Sequence, residues 1–144
     1  MARLAPALVV LAGGVVIFGS LSNWGTCPQA PCEGGLGLQS LVPRGGVTYA
    51  HGIATLVLGG VLAIVGVQAL RRESSRVWWI GFGAALAVLN VVAIFMVQRF
   101  SSETDYFLYG PGLGVYLVWF GGVLAAVVCP LLREKPATRP RPPE

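Results

Sequence analysis

Apolar residues in this chain do not alternate with polar ones at a strand or helix period. They come in four unbroken blocks, Leu4–Leu21, Tyr49–Leu70, Val77–Val97 and Leu113–Leu132. Each block runs 18 to 22 residues, and at about 1.5 Å per residue a helix of that length crosses a hydrocarbon layer of about 30 Å. No acidic or basic side chain interrupts any of them. Lipid offers no partner for a backbone amide, so such segments have to be helices, and the Val, Ile and Gly content that favours strands in water carries little weight. The pattern predicts an all-α integral membrane protein. Residues 1–132 form a single domain of four transmembrane helices, and residues 133–144 form a tail. Pro136, Pro140, Pro142 and Pro143, with few apolar neighbours, predict that this tail is disordered.

Composition adds the class of partner. Hydrophobic residues make up 55% of the 144 and charged ones 11%, a balance that leaves too little polar surface for a soluble domain and makes the lipid bilayer the first partner. The net charge of +4 is not a nucleic-acid footprint, because the basic residues gather at the ends of the apolar blocks instead of along one face. Arg3, Arg71, Arg72, Arg76, Arg133, Lys135, Arg139 and Arg141 fall on one side of a four-pass layout, against Arg44 and Arg99 on the other. Positive charge is retained on the cytoplasmic side, so both termini are expected inside. Trp24, Tyr49, Tyr106 and Tyr109 near the outer boundary and Trp78 and Trp79 near the inner one fit an aromatic belt. Arg3 and the first apolar block resemble a signal peptide, but no A-x-A site follows, and the block is expected to stay as a span. Nine of the ten basic residues are Arg, which suggests a GC-rich bacterial source and hence a bacterial plasma membrane.

A shift of 62 positions superimposes Gly52 on Gly114, Gly59-Gly60-Val61-Leu62-Ala63 on Gly121-Gly122-Val123-Leu124-Ala125, Val65 on Val127 and Leu70-Arg71 on Leu132-Arg133. Two readings stay open: chance recurrence of Gly, Val, Leu and Ala, or two tandem helical hairpins repeated about an axis along the membrane normal. Lipid tails supply no hydrophobic drive between helices, so close packing falls to small residues. Gly59 with Ala63, Gly81 with Ala85, and Gly122 with Ala126 each place two small residues one turn apart. Those faces are expected to look inward or toward a partner. Pro130 sits in the last turn of the fourth block, where it weakens the helix without a large kink.

Cys27 and Cys32 lie in the first outer loop, in a compartment that is oxidising in most bacteria, and a disulfide stapling this Gly-rich loop is expected. A redox-active pair and two free thiols are the alternatives. Four helices with extracytoplasmic cysteines resemble the quinone-linked disulfide oxidases of the vitamin K epoxide reductase type, which use a C-x-x-C pair and a second-loop pair. Here four residues separate the cysteines and the second loop, Gln98–Gly112, has none. Trp24, Cys27 and Cys32 in a long first loop, with Arg44 before the second helix, are similar to the claudin-like tetraspan layout in topology and residue types. The spacing from tryptophan to cysteine differs from the claudin one.

Polar groups inside the blocks are few, and each needs a partner in lipid. His51, the sole histidine, is expected as a hydrogen-bonded rim residue; its cofactor reading is ligation of haem or a related tetrapyrrole, though not by two histidines of this chain. Asn90 is expected to donate an interhelical hydrogen bond, and Gln68 lies near the inner end of its helix. No block holds a carboxylate, which argues against a proton-driven transporter. Glu103 and Asp105 are expected to belong to a solvated loop and not to a metal site. No phosphate-binding loop, dinucleotide fingerprint, HExxH or GxSxG element is present.

These residues point to a non-enzymatic accessory or scaffold subunit, part of a hetero-oligomeric bacterial envelope or energy-transducing complex, with no resident cofactor or metal. The second reading is a redox protein associated with a tetrapyrrole or quinone through His51 or the Cys27/Cys32 pair. A small channel or transporter is third, for want of a polar path.

Overall fold

The computed structural model of the protein describes residues 4–26, 44–45, 50–71, 77–100 and 110–133. The four apolar blocks form α1 (Leu4–Leu21), α2 (Ala50–Arg71), α3 (Val77–Phe100) and α4 (Leu113–Val128), the last continued by a 3-10 turn at Cys129–Arg133. All four spans are long and apolar enough to cross a membrane. α3 runs three residues further than the apolar block, because a helical backbone need not stop at Arg99. α4 stops sooner. Pro130 has no N–H for the carbonyl of Ala126, so the last α-type bond is Cys129 N–H to Ala125 O and the chain tightens beyond it.

α1 packs against α2 and α4, and α3 packs against the same two helices from the opposite corner, so the bundle is an antiparallel ring in chain order. Val9, Val16, Leu62, Val88 and Val118 fill the interior and are fully buried. Outward-facing Phe18, Val57, Ile80 and Phe120 are each at least 60% exposed. An apolar girdle of that extent would not persist on a soluble monomer; lipid contact accounts for it.

Three short strands depart from the all-helical expectation. β1 (Asn23–Thr26) follows α1, β2 (Arg44–Gly45) precedes α2, and β3 (Gly110–Pro111) precedes α4. They form an antiparallel sheet in the order β2-β1-β3, with Asn23 opposite Gly45, Gly25 opposite Arg44 and Pro111, and Thr26 opposite Gly110. Between Asn23 and Gly25 the register shifts, two steps along β1 facing one step along β2. Segments of two to four residues with Gly and Pro carry no alternating pattern to announce a strand. The sheet caps one end of the ring, called here the sheet end.

The helices meet at backbone contact. A Cβ on Gly13 of α1 would lie 2.6 Å from Ala63 N and 2.8 Å from Gly59 O of α2, and one on Gly66 would lie 2.7 Å from Val10 N of α1. On the other flank of α1, a Cβ on Gly19 would lie 2.9 Å from Gly114 O of α4, and one on Gly121 would lie 3.0 Å from Ala12 O. Gly59 and its repeat mate Gly121 both press on Val16 of α1, whereas Gly60 meets nothing and Gly122 meets Val88 and Leu89 of α3. The 62-residue correspondence in sequence is thus matched by a shared contact at Gly59 and Gly121 but not at Gly60 and Gly122.

Candidate functional site

Polar and aromatic chemistry concentrates at the sheet end. α1 finishes there by satisfying carbonyls that a helix C-terminus leaves open: Ser22 N–H donates to Phe18 O at 3.0 Å and Gly19 O at 3.2 Å, and Ser22 Oγ donates to Phe18 O at 2.7 Å. Trp24 Nε1 donates to Gly19 O at 2.9 Å. The indole is fully buried and meets Phe95 of α3 edge-on, 5.0 Å between ring centres. His51, in the first turn of α2, stands edge-on to the same Phe95 at 5.7 Å and is half-buried. One side of the imidazole, the side chain singled out for a tetrapyrrole, is thus taken by an aromatic ring.

Below this layer α1 and α2 share a buried hydroxyl pair. Ser20 Oγ and Thr55 Oγ1 lie 2.8 Å apart, with Val16 O at 2.7 Å from Ser20 Oγ and the His51 and Gly52 carbonyls each 3.1 Å from Thr55 Oγ1. Each hydroxyl carries one proton, so one donates across the interface while the other donates to its own helix. No buried side-chain nitrogen or oxygen among the described residues lacks a partner. A double-mutant cycle with Ser20→Ala and Thr55→Val, read from unfolding in mixed micelles, is expected to give a coupling of about 0.6 kcal/mol and at most about 2. Strictly additive costs would mean the pair is not shared.

Asn90 is placed differently from its expected interhelical bond. Its side chain is exposed, and Nδ2 donates to Leu86 O of its own helix at 3.0 Å. The paired small residues face inward: Gly59 toward Val16 and Ile17, with Ala63 under Gly13; Gly81 toward Cys129 and Val65, with Ala85 fully buried; Gly122 toward Val88 and Leu89, with Ala126 packed on the core. Reading small residues four apart missed the closest approaches to a neighbouring backbone, at Gly13, Gly19, Gly66 and Gly121. A seven-residue spacing would have found them: Gly52, Gly59 and Gly66 on α2, Gly114 and Gly121 on α4, and Ala12 with Gly19 and Gly13 with Ser20 on α1. Positions seven apart stay on one face of a gently supercoiled helix.

Of the belt aromatics, Trp79 is 63% exposed, but Trp78, stacked on it at 3.9 Å, is buried, as is Trp24. Cys129 is a buried free thiol beside Gly81. Cys27, Cys32, Glu103, Asp105, Tyr49, Tyr106 and Tyr109 and the tail beyond Arg133 lie outside the described residues. Among the described residues no three His, Cys, Asp or Glu side chains come together as a metal site.

The fold and this end cluster define a four-helix protein whose helices are long and apolar enough to cross a membrane, with a sheet-capped, aromatic-plugged end. No family model, no curated protein and no solved structure matches the chain.

Proposed function

We propose that this is a non-catalytic accessory or scaffold subunit of a larger membrane assembly in the bacterial plasma membrane. The observation that supports it is the sheet. β1 and β2 bracket the first long connection and β3 ends the second, so both connections spring from one platform that Trp24 anchors into the bundle. A platform of that kind presents two loops to a partner in fixed relation. The helices beneath meet at backbone contact around an interior of apolar side chains, which suits a rigid support.

In this reading the sheet end is extracytoplasmic and both termini are cytoplasmic, the arrangement that keeps eight basic residues inside against two outside. Cys27 and Cys32, directly after β1, then stand in an oxidising compartment, where a disulfide would close the start of the first loop. Extraction in mild detergent followed by mass spectrometry is expected to recover foreign membrane subunits with the chain. Replacing residues 27–43 by a Gly/Ser linker is expected to release them while the spans remain folded. Extraction of the chain from native membranes without any foreign subunit, or labelling that places Cys27 and Cys32 in the cytoplasm, would overturn the reading.

A further inference from the structure

Asn90 lies 13 residues from Val77 and 10 from Phe100, about 20 Å and about 15 Å from the two ends of α3 at about 1.5 Å per residue. It is therefore deep in the span, yet its side chain faces outward. One amide hydrogen is used on Leu86 O. The other hydrogen and the carbonyl oxygen have no partner among the described residues, and lipid supplies none. An outward amide at that depth calls for a second helix that brings a donor and an acceptor to the same level.

We propose that the partner is a second copy of this chain, docked α3 against α3 about a two-fold axis along the membrane normal. A carboxamide both donates and accepts, so it complements itself. Two copies inserted with the same topology run their α3 helices parallel, and a two-fold contact sets each residue opposite itself, so Asn90 meets Asn90 of the second copy at one depth without adjustment. The rest of the face fits such a contact. Gly83, Leu86, Asn90, Ala93 and Val97 are all exposed and recur in alternating steps of three and four, the seam of a left-handed helix pair. Nothing lies within 4 Å of where a Cβ would stand on Gly83, so a second backbone can come close there. α3 carries no charge between Val77 and Gln98 that would hold two copies apart. This face is on the outer side of α3, and the inference does not depend on the accessory role.

The test uses the full chain in liposomes, donor- and acceptor-labelled at the C-terminus, with energy transfer followed across protein-to-lipid ratios. The wild type is expected to dimerise. Asn90→Leu is expected to weaken the dimer by about 3- to 30-fold and Asn90→Gln, which keeps the amide, by less. Gly83→Leu, which blocks approach without touching the amide, is expected to act in the same direction. Because both positions face outward, each monomer should unfold no more easily than wild type. In native membranes, cysteines placed at Leu86 and Ala93 should cross-link copy to copy, whereas one at Val57, outward on α2, should not. A monomer at every ratio, a dimer indifferent to Asn90→Leu, copy-to-copy cross-links at Val57 alone, or a foreign helix cross-linked at Leu86 and Ala93 in place of the second copy would each overturn the proposal.

Discussion

Gly13→Ala is expected to destabilise the bundle by about 3 kcal/mol or more, although alanine is the better helix former by about 1 kcal/mol. The sign is decided by what the added methyl meets. Its neighbours at 2.6, 2.8 and 3.0 Å are Ala63 N, Gly59 O and Ala63 Cα, all backbone, and a backbone atom cannot swing aside as a side-chain terminus can. α1 and α2 would have to move apart, loosening the contact between Val16 and Gly59 and lengthening the 2.8 Å Ser20–Thr55 bond. Gly66→Ala should behave alike, since Val10 N stands at 2.7 Å. Gly122→Ala should cost less, because its near neighbours at 3.0 Å are methyl groups of Leu89 and Val88. Gly14→Ala and Gly60→Ala, with nothing within 4 Å, should be neutral or mildly stabilising and serve as controls. Denaturant or thermal unfolding in mild detergent reads the series. A Gly13→Ala protein as stable as the Gly14→Ala protein would mean that α1 and α2 are not in backbone contact.

The spans were legible in the sequence because a membrane helix must satisfy every amide within itself, which leaves a long apolar block as its mark. α1 covers Leu4–Leu21 as the block does, and α2 begins one residue after Tyr49. Boundaries slipped where the local rule was not apolarity. Gln98 and Arg99 close the third apolar block but not its helix, and Pro130 ends the fourth α-helix inside its block. Which faces touch was only half legible. Gly59 and Gly122 were found, but Gly13 and Gly19 were not, because α1 offers its small residues to two neighbours at once and their spacing on each face is seven, not four. The sheet was not legible, since strands as short as Arg44–Gly45 and Gly110–Pro111 are fixed by partners distant in sequence. Asn90 shows a different limit. The amide's depth can be counted along the block, but whether it points into the bundle or out depends on the rotation of α3, which an all-apolar block does not specify.

Trp24 was legible as an aromatic near the end of a span, and that position alone does not separate a ring at the lipid headgroups from one sealed in the core. The structure gives it the second role, and Trp24→Ala is accordingly expected to cost about 3 to 5 kcal/mol, the range for emptying a buried indole site. The indole is fully buried in the cluster that also holds Val16, Val92, Phe95 and Val115, so truncation opens a cavity between α1, α3 and α4 at the sheet end. The Phe95 ring, 5.0 Å from the indole, would lose its edge contact while still facing His51. Trp24→Phe separates the two contributions of the side chain. It keeps one aromatic ring, removes the Nε1 donor and leaves a smaller void, and because Gly19 O also accepts from Ser22 N–H at 3.2 Å, the loss should fall below that of Trp24→Ala, at about 1 to 3 kcal/mol. The backbone of residue 24 is unaffected in either variant, so Gly112 N–H can still donate to its carbonyl at 3.0 Å, and the strands retain their pairing partners. If the indole is what ties the platform to the bundle, Trp24→Ala should lower the unfolding midpoint of the spans and speed proteolysis of both connections together. Faster proteolysis with an unchanged midpoint would show instead that the sheet end folds independently of the helices. That outcome would remove the rigid platform on which the scaffold reading stands.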